Sequence, residues 1–88
     1  MATEPASTQL PPVHDLVGEV VATLAMAAHA YLEPEGESAA DLHAAETALD
    51  VAGFAYERIR SEAPTEVSSA LARLLTETRM TFVRKRGQ

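Results

Sequence analysis

The sequence predicts an all-α fold: three antiparallel helices, as a bundle or as a helical hairpin plus a third helix, completed by dimerisation. Three observations support this prediction. Apolar residues recur at three- and four-residue steps in three segments, and Pro or Gly interrupts the chain between them. Seventeen of the 88 residues are alanine, the best helix former. A chain this small without cysteine has no disulfide to stabilise it, so a second copy is expected to provide additional buried surface.

The first predicted helix spans residues 13–32. One arc of it is apolar, with Val21 and Leu32 at its edge and these residues within it: Val13, Leu16, Val17, Val20, Leu24, Ala27, Ala28 and Tyr31. The opposite side is only weakly polar and includes Gly18, Ala22 and Met26. The segment Glu33-Pro34-Glu35-Gly36-Glu37 ends the helix, since Pro and Gly both disfavour helical continuation.

The second predicted helix spans residues 38–61, and Ser38 with Asp41 resembles a capping box at its start. It carries two adjoining apolar rows. The first is Leu42, Ala45, Leu49, Ala52, Tyr56 and Ile59, and the second is Ala44, Ala48, Val51 and Ala55. Together the rows are wider than one antiparallel neighbour requires, which favours a further contact.

The third predicted helix spans residues 65–85, after the break at Ala63-Pro64, with Thr65 as a suitable N-cap. Its apolar face consists of Val67, Leu71, Leu74, Leu75, Thr78 and Phe82. Arg84, Lys85 and Arg86 fall at its end, where the helix dipole favours cations.

The domain organisation is expected to be simple. Residues 1–12 are rich in Ser, Thr, Pro and Glu without periodicity and are interpreted as a disordered arm, followed by one helical domain at residues 13–86. The arm does not have the pattern of a signal peptide. The longest uncharged apolar stretch, residues 20–32, is shorter than the roughly 20 residues of a membrane span. We therefore expect a cytoplasmic protein without membrane association.

Charge is distributed very unevenly along the chain. The first 57 residues contain ten acidic residues and no Lys or Arg, whereas the remainder contains seven basic and three acidic residues. Opposite-sign parts can attract each other within or between chains, which indicates association. The net charge of −6 argues against nucleic acid as a partner.

Catalytic and metal-binding patterns are weak. The sequence contains no nucleophile–base pair, Gly-rich phosphate loop or cofactor fingerprint, so we expect no enzymatic activity and no cofactor. His43 and Glu46 form the one His–carboxylate pair at (i, i+3) spacing. A helical metal-binding module, with this pair repeated across a two-fold axis, stays open as an alternative.

The candidate interaction residues are apolar side chains away from the main rows and the basic residues near the end. Phe54 is predicted on a polar face, and with Val51 and Met80 it could form a contact. Arg79, Arg84, Lys85 and Arg86 could dock an acidic surface. The leading hypothesis is a non-enzymatic protein-interaction module that self-associates and binds a further protein. An accessory factor of the translation machinery, binding the ribosome or RNA through the basic C-terminus, is an alternative.

Three segments resemble a small bacterial helical family, domain of unknown function eighteen forty-four. They are Leu24-Ala25 with Ala28 and Leu32, the stretch Ala45-Glu46-Thr47-Ala48-Leu49-Asp50 followed by Glu57-Arg58, and Leu74-Leu75-Thr76-Glu77-Thr78-Arg79-Met80-Thr81-Phe82-Val83. The resemblance covers roughly residues 20–83. Glu62-Ala63-Pro64-Thr65 and Thr78 depart from the family pattern of Gly-Asn-Leu-Thr and Leu. The resemblance implies an all-helical fold without an established activity.

Overall fold

A computed structural model describes residues 10–36 and 38–88 and confirms the all-α prediction. Helix α1 spans Val13–Leu32, α2 spans Leu42–Ile59 and α3 spans Thr65–Arg86. The described residues contain no strand, and each helix packs against the other two. Residues 1–9 of the predicted N-terminal arm lie outside the described residues, and residues 10–12 are exposed and precede α1.

The three helices run up, down and up. Near the start of α1, a Cβ atom built on Gly18 would lie 3.7 Å from Leu71 Cδ1 in α3 and 3.9 Å from Ile59 Cδ1 at the end of α2. At the other end of the bundle, Glu33, which follows α1, lies within 3.5 Å of Arg84 at the end of α3. Helices α1 and α3 are therefore parallel, and α2 is antiparallel to both.

Helix α2 begins at Leu42, four residues after the predicted start. The carboxylate of Asp41 accepts a hydrogen bond from the backbone N–H of Ala44 at 3.0 Å, so Asp41 is the N-cap in place of Ser38. The Asp41 N–H donates to the carbonyl of Tyr31 at 2.9 Å, which ties the linker to the last turn of α1. Gly36 has a positive φ of 70°, which completes the change of direction.

The core contains more small residues than large ones on the inner side of α1 and α2. Its buried apolar members are Val21, Ala25, Ala28, Leu32, Ala45, Ala48, Leu49, Ala52, Ile59, Leu71 and Leu75. Thr78 is also buried, and its hydroxyl donates to the carbonyl of Leu74 at 2.8 Å. Alanine-lined helices can approach closely, which allows three short helices to enclose a continuous core.

The buried side of α1 differs from the predicted one. Val21, Ala25, Ala28 and Leu32 are fully buried, although Val21 and Leu32 were expected at the edge of the apolar arc. Helix α3 packs on the side that includes Gly18, because small residues there allow a close approach. The core has consequently moved around α1, and much of the predicted arc faces solvent.

Helix α1 is long and apolar enough, by length and composition, to cross a membrane. Its mean hydropathy over the best window is 1.2, and 22 % of that window is buried within the fold. Core helices of soluble proteins also meet these criteria, and α1 packs against both other helices and carries Asp15 and Glu19.

Candidate interaction surface

Helices α1 and α2 form an exposed apolar surface on the side that α3 does not cover. We call it the open face. It consists of Val13, Leu16, Val20, Leu24, Ala27 and Tyr31 from α1, with Ala44, Thr47, Val51 and Ala55 from α2. These positions follow three- and four-residue steps, so each helix contributes one continuous stripe.

The large side chains of the open face are partly exposed although they belong to the apolar stripes. Val13, Leu16, Val20, Tyr31 and Val51 are between 43 % and 62 % exposed. A shallow groove of about 360 Å³ runs between the two stripes, lined by residues that include Leu24, Tyr31 and Val51, and none of its lining residues is charged. Isolated apolar residues are ordinary on a protein surface, but a contiguous uncharged surface of two helices is typical of an interaction site.

Two charged residues border the open face at the same level of the hairpin. Glu19 lies beside Leu16 and Val20 on the outer edge of α1. Arg58 follows Ala55 by three residues and Val51 by seven, so it continues the α2 stripe. Within the part of the chain that the structure describes, neither residue lies within 4 Å of an opposite charge.

The predicted contact residues Val51 and Phe54 line different grooves, although they lie one turn apart on α2. Val51 lines the groove of the open face. Phe54, with 69 % of its surface exposed, lines a groove between α2 and α3 together with Arg79, whose guanidinium lies against Gly53. The structure therefore brings Phe54 and Arg79 to one groove and Val51 to another.

The remaining predicted residues are distributed along α3. Met80 is 65 % exposed. At the end of the helix, Arg84 Nη2 and Lys85 Nζ lie 3.5 Å and 3.4 Å from the same oxygen, Oε2 of Glu33. The guanidinium of Arg86 lies 5.4 Å from the centre of the Phe82 ring. Two of the three terminal cations are thus engaged within the chain, where they tie the end of α3 to the end of α1.

Sequence reasoning missed a third groove, between α1 and α3. It has a volume of about 480 Å³ and is lined by Met26, His29, Leu74, Glu77, Thr78 and Thr81. His29 Nε2 lies 3.9 Å from Glu33 at one end of this region. The signal in the sequence was the weakly polar back of the first helix, which included Met26 and His29.

The histidines do not converge with acidic residues in the described ranges. No group of three or more His, Cys, Asp or Glu side chains is close enough to hold a metal ion among residues 10–36 and 38–88. His43 and Glu46 are both exposed. Helical periodicity places Glu46 on the side of α2 away from Val51, whereas His43 lies one turn before Thr47, next to the open face. A shared metal site would need ligands from a second chain.

Comparison with protein-family models, with curated proteins and with solved structures finds no match to this chain.

Proposed function

We propose that the protein is a non-enzymatic protein-interaction module whose working surface is the open face of α1 and α2. The observation that carries this proposal is the exposure of an uncharged two-helix surface in a chain with 13 acidic and seven basic residues. Exposed apolar stripes lower the solubility of a free monomer, and their burial against a partner removes that cost. We further propose that the protein works in the cytoplasm.

The size of the open face fits a protein contact. Two neighbouring helices, presenting stripes of about 27 Å and about 17 Å, give a projected surface of roughly 500 Å². Specific interfaces bury about 800 Å² of accessible surface on each partner, and accessible area exceeds projected area. The open face is therefore large enough for a stable contact if most of it is covered.

The basic C-terminus gives less support to the translation hypothesis. Arg84 and Lys85 contact Glu33, so their charge is partly compensated within the chain.

Resemblance to domain of unknown function eighteen forty-four also stays a proposal, supported by the helical conformation of all three segments that carry it.

Site-specific photo-crosslinking in living cells tests the proposed function. A photoreactive phenylalanine analogue at Val51 should form a discrete covalent adduct with a protein, whatever the identity of that protein. The matched control places the same analogue at Glu46, an exposed residue on the other side of α2. No discrete adduct at Val51, or equal adducts at both positions, would overturn the proposal.

A further inference from the structure

We infer that the occupant of the open face is a second copy of this chain, related by a two-fold axis that runs parallel to the helices. This inference rests on the proposed function, because it names the partner of the same surface. In this arrangement α1 of one copy packs against α2 of the other, and the same contact occurs twice.

The side chains of the two stripes differ in size. The α1 stripe contributes five large residues, Val20, Leu24 and Tyr31 among them, whereas Val51 is the one large residue of the α2 stripe, beside Ala44, Thr47 and Ala55. A two-fold axis parallel to the helices places the large residues of each α1 opposite the small residues of the partner's α2. An axis perpendicular to the helices would place each stripe opposite its own copy, large against large and small against small.

The two bordering charges are placed so that they meet across such an axis. Gly18 of α1 lies level with Ile59 of α2, since a Cβ on Gly18 would be 3.9 Å from Ile59 Cδ1. The adjacent residues Glu19 and Arg58 are therefore level with each other, on opposite outer edges of the open face. A rotation about an axis parallel to the helices keeps that level and exchanges the edges, so Glu19 of one copy meets Arg58 of the other. Two ion pairs then border the interface.

The area and the charge of the open face also suit a second copy. Two projected faces of roughly 500 Å² bury about 1,000 Å² of surface in total, which reaches the lower bound for a specific dimer. The accessible surface buried is larger than this, because protruding side chains add to the projected area. Each copy has a net charge of −6, yet the groove at the centre of the face has no charged lining residue. The two copies can therefore approach without burying an unpaired acid.

A lipid surface fits the open face less well than a second copy does. Helices that lie on anionic membranes carry Lys or Arg beside their apolar side, and the first 57 residues contain neither. Arg58 is the one basic residue of α1 and α2 and is the last but one residue of α2.

Charge exchange with mixing tests the inference. The mass of the wild type and of the variants Glu19→Arg and Arg58→Glu is measured by light scattering and sedimentation, against a chain mass of 9.4 kDa. Each variant places two like-charge pairs at the border, and we expect each to weaken dimerisation about tenfold at low salt. Mixing the two variants creates complementary pairs and should restore the dimer. The variants Glu46→Arg and Arg73→Glu, which are exposed and lie off the face, form the matched control and should change nothing.

Three results would overturn the inference. The first is a wild-type monomer at about 100 μM. The second is a dimer in which Glu19→Arg and Arg58→Glu behave as the control variants do. The third is binding to phosphatidylcholine vesicles that Val51→Asp abolishes. If the wild type is a monomer but the analogue at Val51 still forms an adduct with a different protein, the inference fails while the proposed function stands.

Discussion

Replacing Gly18 with alanine should stabilise the protein, although Gly18 is buried where three helices meet. The backbone of Gly18 is ordinary α-helix, since Gly36 is the one glycine with positive φ among the described residues. The nearest side-chain atoms to an added Cβ are Leu71 Cδ1 at 3.7 Å and Ile59 Cδ1 at 3.9 Å. Both distances are van der Waals contacts, so the methyl group fits without moving a helix.

The expected gain has two parts. Alanine is favoured over glycine inside a helix by about 0.8–1.0 kcal/mol. Burying one additional methyl-sized group contributes up to about 0.8 kcal/mol. The free energy of unfolding should therefore rise by about 1–2 kcal/mol, and the melting temperature by about 4–8 °C for each kcal/mol in a domain of this size.

Urea and thermal unfolding, followed by circular dichroism, measure this effect. All variants are compared at one protein concentration, because the inferred dimerisation would make the midpoint depend on concentration. Two other glycines are controls, and each has a different expected change in the free energy of unfolding. Gly53→Ala should gain less, since its Cβ must displace the guanidinium of Arg79. Gly36→Ala should lower stability by about 1–2 kcal/mol, because alanine is strained at φ 70°. A lower melting temperature for Gly18→Ala would refute the described spacing between α1 and α3.

Three further substitutions have expected effects on stability. Leu75→Ala removes a side chain that is 2 % exposed and should cost about 2–5 kcal/mol in urea unfolding, whereas Met80→Ala on the same helix should stay within about 0.5 kcal/mol. Asp41→Ala removes the hydrogen bond to the Ala44 N–H and should cost about 1 kcal/mol, and an unchanged free energy of unfolding would contradict its capping role. Glu33→Gln removes the carboxylate shared by two cations and should cost less than about 1 kcal/mol at low salt, and an effect that persists in 1 M NaCl would argue against an electrostatic origin.

Periodicity in the sequence predicted the helices well. The ranges of α1 and α3 agree with prediction to within one residue, because a proline immediately precedes each helix. Pro12 precedes α1 and Pro64 precedes α3. The start of α2 was predicted too early. Ser38 and Asp41 are both good caps in isolation, and the tertiary bond from the Asp41 N–H to Tyr31 selects between them.

Sequence reasoning centred the α1 core too far toward Val20 for a physical reason. It ranked positions by hydrophobicity, so the stripe through Val20 and Leu24 was interpreted as the buried one. Close helix packing instead favours small residues, and Gly18 and Ala25 are buried. The width of the apolar surface on α2 was nevertheless informative, since Val51 is half-exposed and Ala55 is only partly buried.

The candidate surface was only partly predictable. Val51 could be found from the second apolar row of α2, but its neighbours on α1 could not, because they depend on which side of α1 the third helix covers. The grouping of Phe54 with Val51 relied on nearness in sequence. Residues three apart on a helix differ in direction by about 60°, enough here to assign them to different grooves.

The up-down-up topology has a consequence for any assembly that contains this domain. The start of α1 and the end of α3 lie at opposite ends of a bundle about 30 Å long. Under the two-fold axis inferred above, both copies point the same way. The dimer would then have two different ends, with the starts of both α1 helices at one end and the basic ends of both α3 helices at the other. Domains fused before α1 would all lie at one end of the dimer, and domains fused after α3 would all lie at the opposite end.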